Sequence, residues 1–178
     1  HMKAYMCQDY ETATMAELLG QNLQYGLRNT TKEVPLEEEI HQLNIYRAIL
    51  AYQYNERIQF NICIDRELYS CHVLKLVFQP IVENALIHGF QNQKSGCVTL
   101  TVDASDSMLM LTISDDGEGM DAAVLEELNR KIQSRQTLLR KPASHGNGIA
   151  LQNVNRRIMM LYGRSYGLHA YSTPGRGT

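Results

Sequence analysis

Three segments of this chain, evenly spaced, carry side chains that would form a nucleotide pocket if folded together. They are Gln79-Pro80-Ile81-Val82-Glu83-Asn84-Ala85-Leu86-Ile87-His88-Gly89, Asp115-Asp116-Gly117-Glu118-Gly119-Met120 and His145-Gly146-Asn147-Gly148-Ile149-Ala150-Leu151. Asn84 and His88 are four apart and share a helix face, expected opposite Val82 and Ala85. The Asn84 amide oxygen is a hard ligand suited to Mg²⁺, which keeps several waters and also binds substrate phosphates. His88 can hydrogen-bond a phosphate. Glu83, beside that face, can orient a metal-bound water or act as a base. Asp115 follows an apolar strand, and a buried carboxylate there accepts a hydrogen bond from an exocyclic amine such as that of adenine. Gly117 and Gly119 allow a sharp turn and a close approach to a ligand. Gly146 and Gly148 open a helix, whose free N–H groups and positive dipole end suit phosphate. Alone, each segment has an ordinary explanation: a packed amide, an acidic turn, a flexible linker. In this order, the three point to a nucleotide.

Other chemistries fit poorly. The acids lack the spacing of an EF-hand calcium loop. The glycine loop is not followed by Gly-Lys-Ser/Thr, and no strand with an acidic partner surrounds it as in a dinucleotide fold. Lys and Arg number 17 against 19 Asp and Glu, a net charge of −2, and no more than two basic residues adjoin. A nucleic-acid surface is not indicated. No apolar run is long enough to span a bilayer. The four cysteines show no CxxC spacing, which argues against zinc and for a reduced, cytosolic setting. His41 reads as a solvated helix residue, and His72, His145 and His169 form no ligand pattern. No nucleophile elbow is present. His1-Met2 reads as a cloning remnant and is set aside.

Positioning these groups falls to two parts that meet near residue 57. Residues 3–57 read as a helical segment. Thr14-x-x-Glu17 can form a capping box ahead of Leu18, Leu19, Leu23 and Leu27. Asn29 to Lys32 is a polar break, and Pro35 with Glu37, Glu38 and Glu39 starts a second helix whose dipole those acids favour. Residues 58–178 read as the catalytic domain. Ile58, Phe60, Ile62 and Ile64 alternate as a half-buried strand. Residues 73–88 are expected as a helix with Leu74, Val77, Phe78, Ile81, Val82, Ala85 and Leu86 on its core stripe, kinked at Pro80 and capped by Gly89. Residues 98–102 and 109–113 signal a hairpin. Helices follow at 121–132 and 149–162, with a loop over 133–147 and one more strand at 167–172. The class is α+β, a sandwich of one mixed sheet covered by helices on one face and preceded by two helices.

The three segments together resemble the catalytic part of sensor histidine kinases, in particular the LytS/YesM-like group. Gln79 to Ala85 with His88-Gly89 is similar to that family's N box, Asp115 to Met120 to its first glycine box, and Gly146 to Leu151, running on through Gln152-Asn153-Val154-Asn155-Arg156-Arg157-Ile158, to its second. Val34-Pro35-Leu36-Glu37-Glu38-Glu39-Ile40, Tyr46 and Glu56-Arg57 resemble the segment that links dimerisation helices to the ATP domain. The resemblance implies a GHKL-type fold that binds ATP through Asp115, Gly117, Gly119, Met120, Gly146, Gly148, Ile149, Leu151 and His88, with Asn84 on Mg²⁺ and Glu83 and His88 as catalytic groups. It implies a mobile lid between Met120 and Gly146, centred on the polar residues 133–147. It further implies a homodimer, a response regulator receiver domain as partner, an acceptor histidine on a helix upstream of residue 3, and a place on the cytoplasmic side of a bacterial plasma-membrane sensor. Departures are Ile87, where many relatives carry a lysine that contacts phosphate, and Ala150, where the second box usually has a glycine. Relatives continue into a last strand where this chain ends. Two other readings are a GHKL ATPase or serine kinase, which the linker segment disfavours, and a degenerate nucleotide domain used for dimerisation or protein contact.

Overall fold

An aspartate opens the first helix, α1 (Tyr10–Leu27): Asp9 Oδ1 accepts from Thr12 N at 3.1 Å. The expected capping box at Thr14 is therefore absent. Thr14 lies inside the helix, and its hydroxyl donates to the Tyr10 carbonyl at 2.9 Å. A short strand, β1 (Glu33–Pro35), leads into α2 (Leu36–Tyr54). Then come β2 (Ile58–Cys63), a 3₁₀ turn (Arg66–Ser70), β3 (His72–Leu74), α3 (Phe78–Gly89), β4 (Gly96–Ser105), β5 (Met108–Asp115), α4 (Ala122–Gln133) and α5 (Ile149–Tyr162). The computed structural model describes residues 9–27, 32–54, 57–90, 93, 95–105, 107–134 and 148–178.

The main sheet has the order β2-β4-β5, with β2 parallel and β5 antiparallel to β4. Ile62, Leu100 and Ile113 stand in one cross-strand row, and Asn61, Thr99 and Ser114 in the next. The first row faces the core, because period-2 alternation sends neighbours to opposite faces. Leu36, Ile40, Leu43 and Leu50 of α2, Phe78, Val82, Ala85 and Leu86 of α3, and Val154 of α5 join Val98, Leu100 and Val102 in one apolar cluster. The sheet is thus mixed and its apolar face is covered by helices, as the residue pattern predicts. The hairpin and the helices at 122–133 and 149–162 also match, Asp121 Oδ1 capping α4 through Val124 N at 2.8 Å. Among the described residues, no helix is long and apolar enough to cross a membrane.

Further expectations are corrected. Residues 73–88 do not form one helix. His72–Leu74 pairs antiparallel with Glu33–Pro35, the chain turns through Leu76 at φ 56°, and α3 starts at Phe78. Val73, Leu74, Val77 and Phe78 satisfy helical spacing, but the first two are buried as a ribbon instead. Pro80 consequently sits in the first turn, where a missing N–H breaks no intrahelical bond, so the expected kink has no cause. Gly89 is the last residue of α3 rather than its cap, which is Phe90.

Residues 167–172 do not form a strand of the sheet. Side-chain amides take their backbone groups: Leu168 N donates to Asn155 Oδ1 at 2.7 Å, and Gln133 Nε2 to Leu168 O at 3.0 Å. Asn129 both accepts from Ala170 N and donates to Ala170 O, at 3.0 and 2.9 Å. The polar break expected over Asn29 to Lys32, as far as residue 31, and the lid expected over 133–147, from residue 135 onward, lie outside the described residues.

Candidate functional site

The carboxyl end of β5, the middle of α3 and one side of α4 enclose a cavity of about 530 Å³. That volume suits a ligand of nucleotide size. Two turns into α3, Asn84 and His88 both line it, as their spacing predicts. Ala85 lines it as well, so the face is broader than expected and Ala85 does not lie opposite. Asp115, the last residue of β5, supplies the carboxylate, and Gly119 and Met120 the turn beyond it.

Asp115 is only 9% exposed. Its Oδ1 accepts from Gly117 N at 2.9 Å. Burial pushes its pKa up from the usual carboxylate value, opposed by the backbone hydrogen bonds of Gly117 and Thr178 and assisted by the neighbouring Asp116 charge. Asp116 itself turns away, its Oδ1 accepting from Cys97 N at 2.7 Å across the sheet. The two adjacent acids are thereby sorted. One faces the cavity and the other ties the strand ends.

The glycines serve the chain's own backbone. A Cβ at Gly89 would stand 2.8 Å from Asp115 Oδ1, and one at Gly117 would collide with the Gly89 carbonyl. Gly119, at φ 66°, could not take a side chain without striking the Thr173 carbonyl. On the side where a Cβ would point, Gly117 and Gly119 are backed by α3 and by the tail at 173–178, while Gly119 also lines the cavity. That tail is pinned: Met120 N donates to Ser172 Oγ at 2.8 Å, Ser172 Oγ to Gly177 O at 2.7 Å, and Asp115 N to Thr178 O at 2.9 Å.

Other expected residues stand elsewhere. Glu83 accepts from Gln79 Nε2 at 2.9 Å and does not line the cavity. Gly148, at φ 93°, is the N-cap of α5, with Ile149 as that helix's first residue. Leu151 is buried and lines an adjoining cavity of about 450 Å³ between β5, α4 and residues 167–171. Gly146 lies outside the described residues.

Sequence reasoning missed the α4 wall and the Thr178 floor. Glu127, Leu128 and Lys131 line the cavity from α4. Lys131 Nζ lies 3.5 Å from Glu127 Oε1, and Arg130 holds the same carboxylate through two 2.8 Å bonds. The Arg130 hydrogen bonds are the main cause of a lowered Glu127 pKa. Spacing of Glu127 and Lys131 at i and i+4 reads locally as a solvated pair. Only the tertiary placement of α4 turns Lys131 toward the cavity.

Among the described residues, no group of three or more His, Cys, Asp and Glu is placed to hold a metal. The hard donor on α3 that faces the open space is the amide oxygen of Asn84. A single such oxygen fits a cation like Mg²⁺ that takes most of its ligands from water and phosphate.

Residues 72–178 match the family model described as "Histidine kinase-, DNA gyrase B-, and HSP90-like ATPase". The sensor histidine kinase YesM of Bacillus subtilis (strain 168) is 28% identical over 172 residues, 96% of this chain and 27% of that protein. The sensor protein LytS of the same organism is 32% identical over 146 residues, 82% of this chain and 23% of its own length. The sensor histidine kinase YpdA of Escherichia coli (strain K12) is 30% identical over 153 residues, covering 85% and 25%. The chain spans about a quarter of the length of these relatives. The histidine kinase domain from the Erythrobacter litoralis EL346 blue-light activated histidine kinase shares the fold, at 18% identity and TM-score 0.55, over 93% of this chain and 70% of that one.

Proposed function

Because the chain belongs to the histidine kinase-, DNA gyrase B- and HSP90-like ATPase family, we propose that it is the ATP-binding catalytic part of a two-component sensor histidine kinase. One observation carries the reading: a buried carboxylate, Asp115, shares a cavity with Asn84 and His88. Asp115 takes the adenine amine, Asn84 holds Mg²⁺, and His88 hydrogen-bonds a phosphate. Bound Mg²⁺ neutralises charge on the phosphates. Glu83, one residue before Asn84, orients water near that position, and Lys131 meets the phosphates from α4.

The reaction is transfer of the γ-phosphoryl group from ATP to an imidazole nitrogen. That nitrogen is itself the nucleophile, so the protein's work is positioning and charge stabilisation. The acceptor histidine lies upstream of residue 3 on a dimerisation helix. A response regulator aspartate then receives the phosphoryl group. By the same family resemblance, the reading extends to a homodimeric membrane sensor with this part on the cytoplasmic side.

The test is the label that labelled ATP leaves on a chain extended upstream through the acceptor helix. An acid-labile, base-stable phosphate supports the reading, and an acid-stable one would favour the serine-kinase branch. Absence of Mg²⁺-dependent ATP binding would leave the degenerate interaction module.

A further inference from the structure

Glu39 is 2% exposed, and its carboxylate is spent on a helix other than its own. Oε1 accepts from Tyr25 OH at 2.6 Å and from Leu76 N at 2.7 Å, and Oε2 accepts from Val77 N at 3.0 Å. Val77 is the N-cap of α3, has no side-chain oxygen and makes no side-chain cap. The third helical position, where a capping-box glutamate would reach back to the N-cap N–H, is occupied by Pro80. Glu39 supplies that missing carboxylate from α2, and places a negative charge at the positive end of α3.

The turn it holds is strained. Leu76 has φ 56°, a conformation a leucine keeps only when its surroundings impose it. The same turn is gripped from a second side, where Arg157 Nη2 of α5 donates to the Lys75 carbonyl. Tyr25, 3% exposed, adds its ring beneath Lys75 Nζ at 4.5 Å. Residues from α1, α2 and α5 thus converge on three residues that set where α3 begins. Asn84 and His88 stand on α3 two to three turns further on.

We propose that Glu39 is a positioning residue for the nucleotide cavity, fixing the start of α3, and that Tyr25 transmits the placement of α1 to it. The proposal rests on the reading of that cavity as a nucleotide site. When α1 shifts, the Tyr25 hydroxyl leaves Oε1, the carboxylate loosens from Leu76 and Val77, and the strained turn relaxes. Asn84 and His88 then lose their fixed relation to Asp115, whose strand is paired with β4 through Val98. The helical segment therefore controls nucleotide affinity without touching the nucleotide.

The experiment uses the chain itself and the variants Tyr25→Phe and Glu39→Gln, read by amide exchange without nucleotide and by calorimetry with ATP and Mg²⁺. Tyr25→Phe should speed exchange at residues 76–82 while leaving Leu109 to Ile113 unchanged, and weaken ATP by about 3- to 10-fold, the loss of one hydrogen bond. Glu39→Gln presents an amide N–H₂ to one backbone donor and should weaken ATP by about 10-fold or more. Exchange that rises equally in β5 would mark plain destabilisation and overturn the proposal. So would unchanged exchange at 76–82, or unchanged ATP affinity, in Tyr25→Phe. If the parent itself bound no ATP, the cavity reading would fall with the positioning role, and exchange at 76–82 would still show whether Tyr25 and Glu39 hold the turn.

Discussion

Replacing Asp115 by Asn keeps the side chain's size and one acceptor oxygen and removes its charge. The remaining oxygen can still take the 2.9 Å bond from Gly117 N. The amide N–H₂ then faces the cavity, where a donor meets the donor of the adenine amine. Losing a charge-assisted hydrogen bond costs about 1.5–3 kcal/mol, or about 10- to 150-fold in affinity. Folding responds in the other direction. Burial raises the Asp115 pKa above its ordinary value of 3.8, so the native chain binds this proton more readily than the unfolded one. The group's contribution to stability therefore falls as pH rises through the interval above that value, and the whole penalty is present at neutral pH. Asp115→Asn removes the penalty, and its melting temperature at pH 7 should equal or exceed the parent's. Calorimetry with ATP and Mg²⁺, alongside a melting curve, reads both effects. Equal ATP affinity in variant and parent would refute the base contact. A large drop in melting temperature would refute the assignment of the raised pKa to a buried, under-compensated carboxylate.

The same shift predicts a pH effect on binding: ATP affinity of the parent should weaken on acidification, with an inflection above the ordinary Asp value of 3.8, and the difference between the parent and Asp115→Asn should isolate that inflection from the titration of ATP itself. Asn84→Ala should abolish the gain in affinity that Mg²⁺ gives while leaving metal-free binding largely intact; an undiminished gain would remove Asn84 as the ligand. The chain alone should not phosphorylate itself, because His41 is an exposed residue of α2 without acceptor context, and an acid-labile label mapped to His41 would overturn this. Asn155→Ala should lower the melting temperature sharply, since it strands the Ile132 carbonyl and the Leu168 N–H, each costing about 1–3 kcal/mol where buried.

Asn84, His88 and Asp115 were legible because their placement depends on local periods: a helix face repeats at four residues, and a strand end faces its neighbour helix. The glycines were legible as turns but not as contacts. Their close neighbours are Gly89 and the tail at 173–178, brought there by tertiary folding. His72 to Leu74 carries apolar residues that serve either period, and only pairing with Glu33 to Pro35 decides for a strand. Residues 167–172 alternate suitably, yet Asn129, Gln133 and Asn155 occupy their backbone groups. In the sequence Glu39 is one of three acids that favour their own helix's dipole. Its burial against Tyr25 and the start of α3 has no local signature, because its partners lie 14 and 37 or 38 residues away.

The central claim, that nucleotide binds between α3 and the end of β5, is tested most directly by mapping backbone amide shifts during titration with ATP and Mg²⁺. Saturable shifts are expected at Asn84 to Phe90 and at Asp115 to Met120, with the polar sheet row of Asn61, Thr99 and Ser114 unmoved. No saturable shift, or shifts confined to residues away from Asn84, His88 and Asp115, would contradict it.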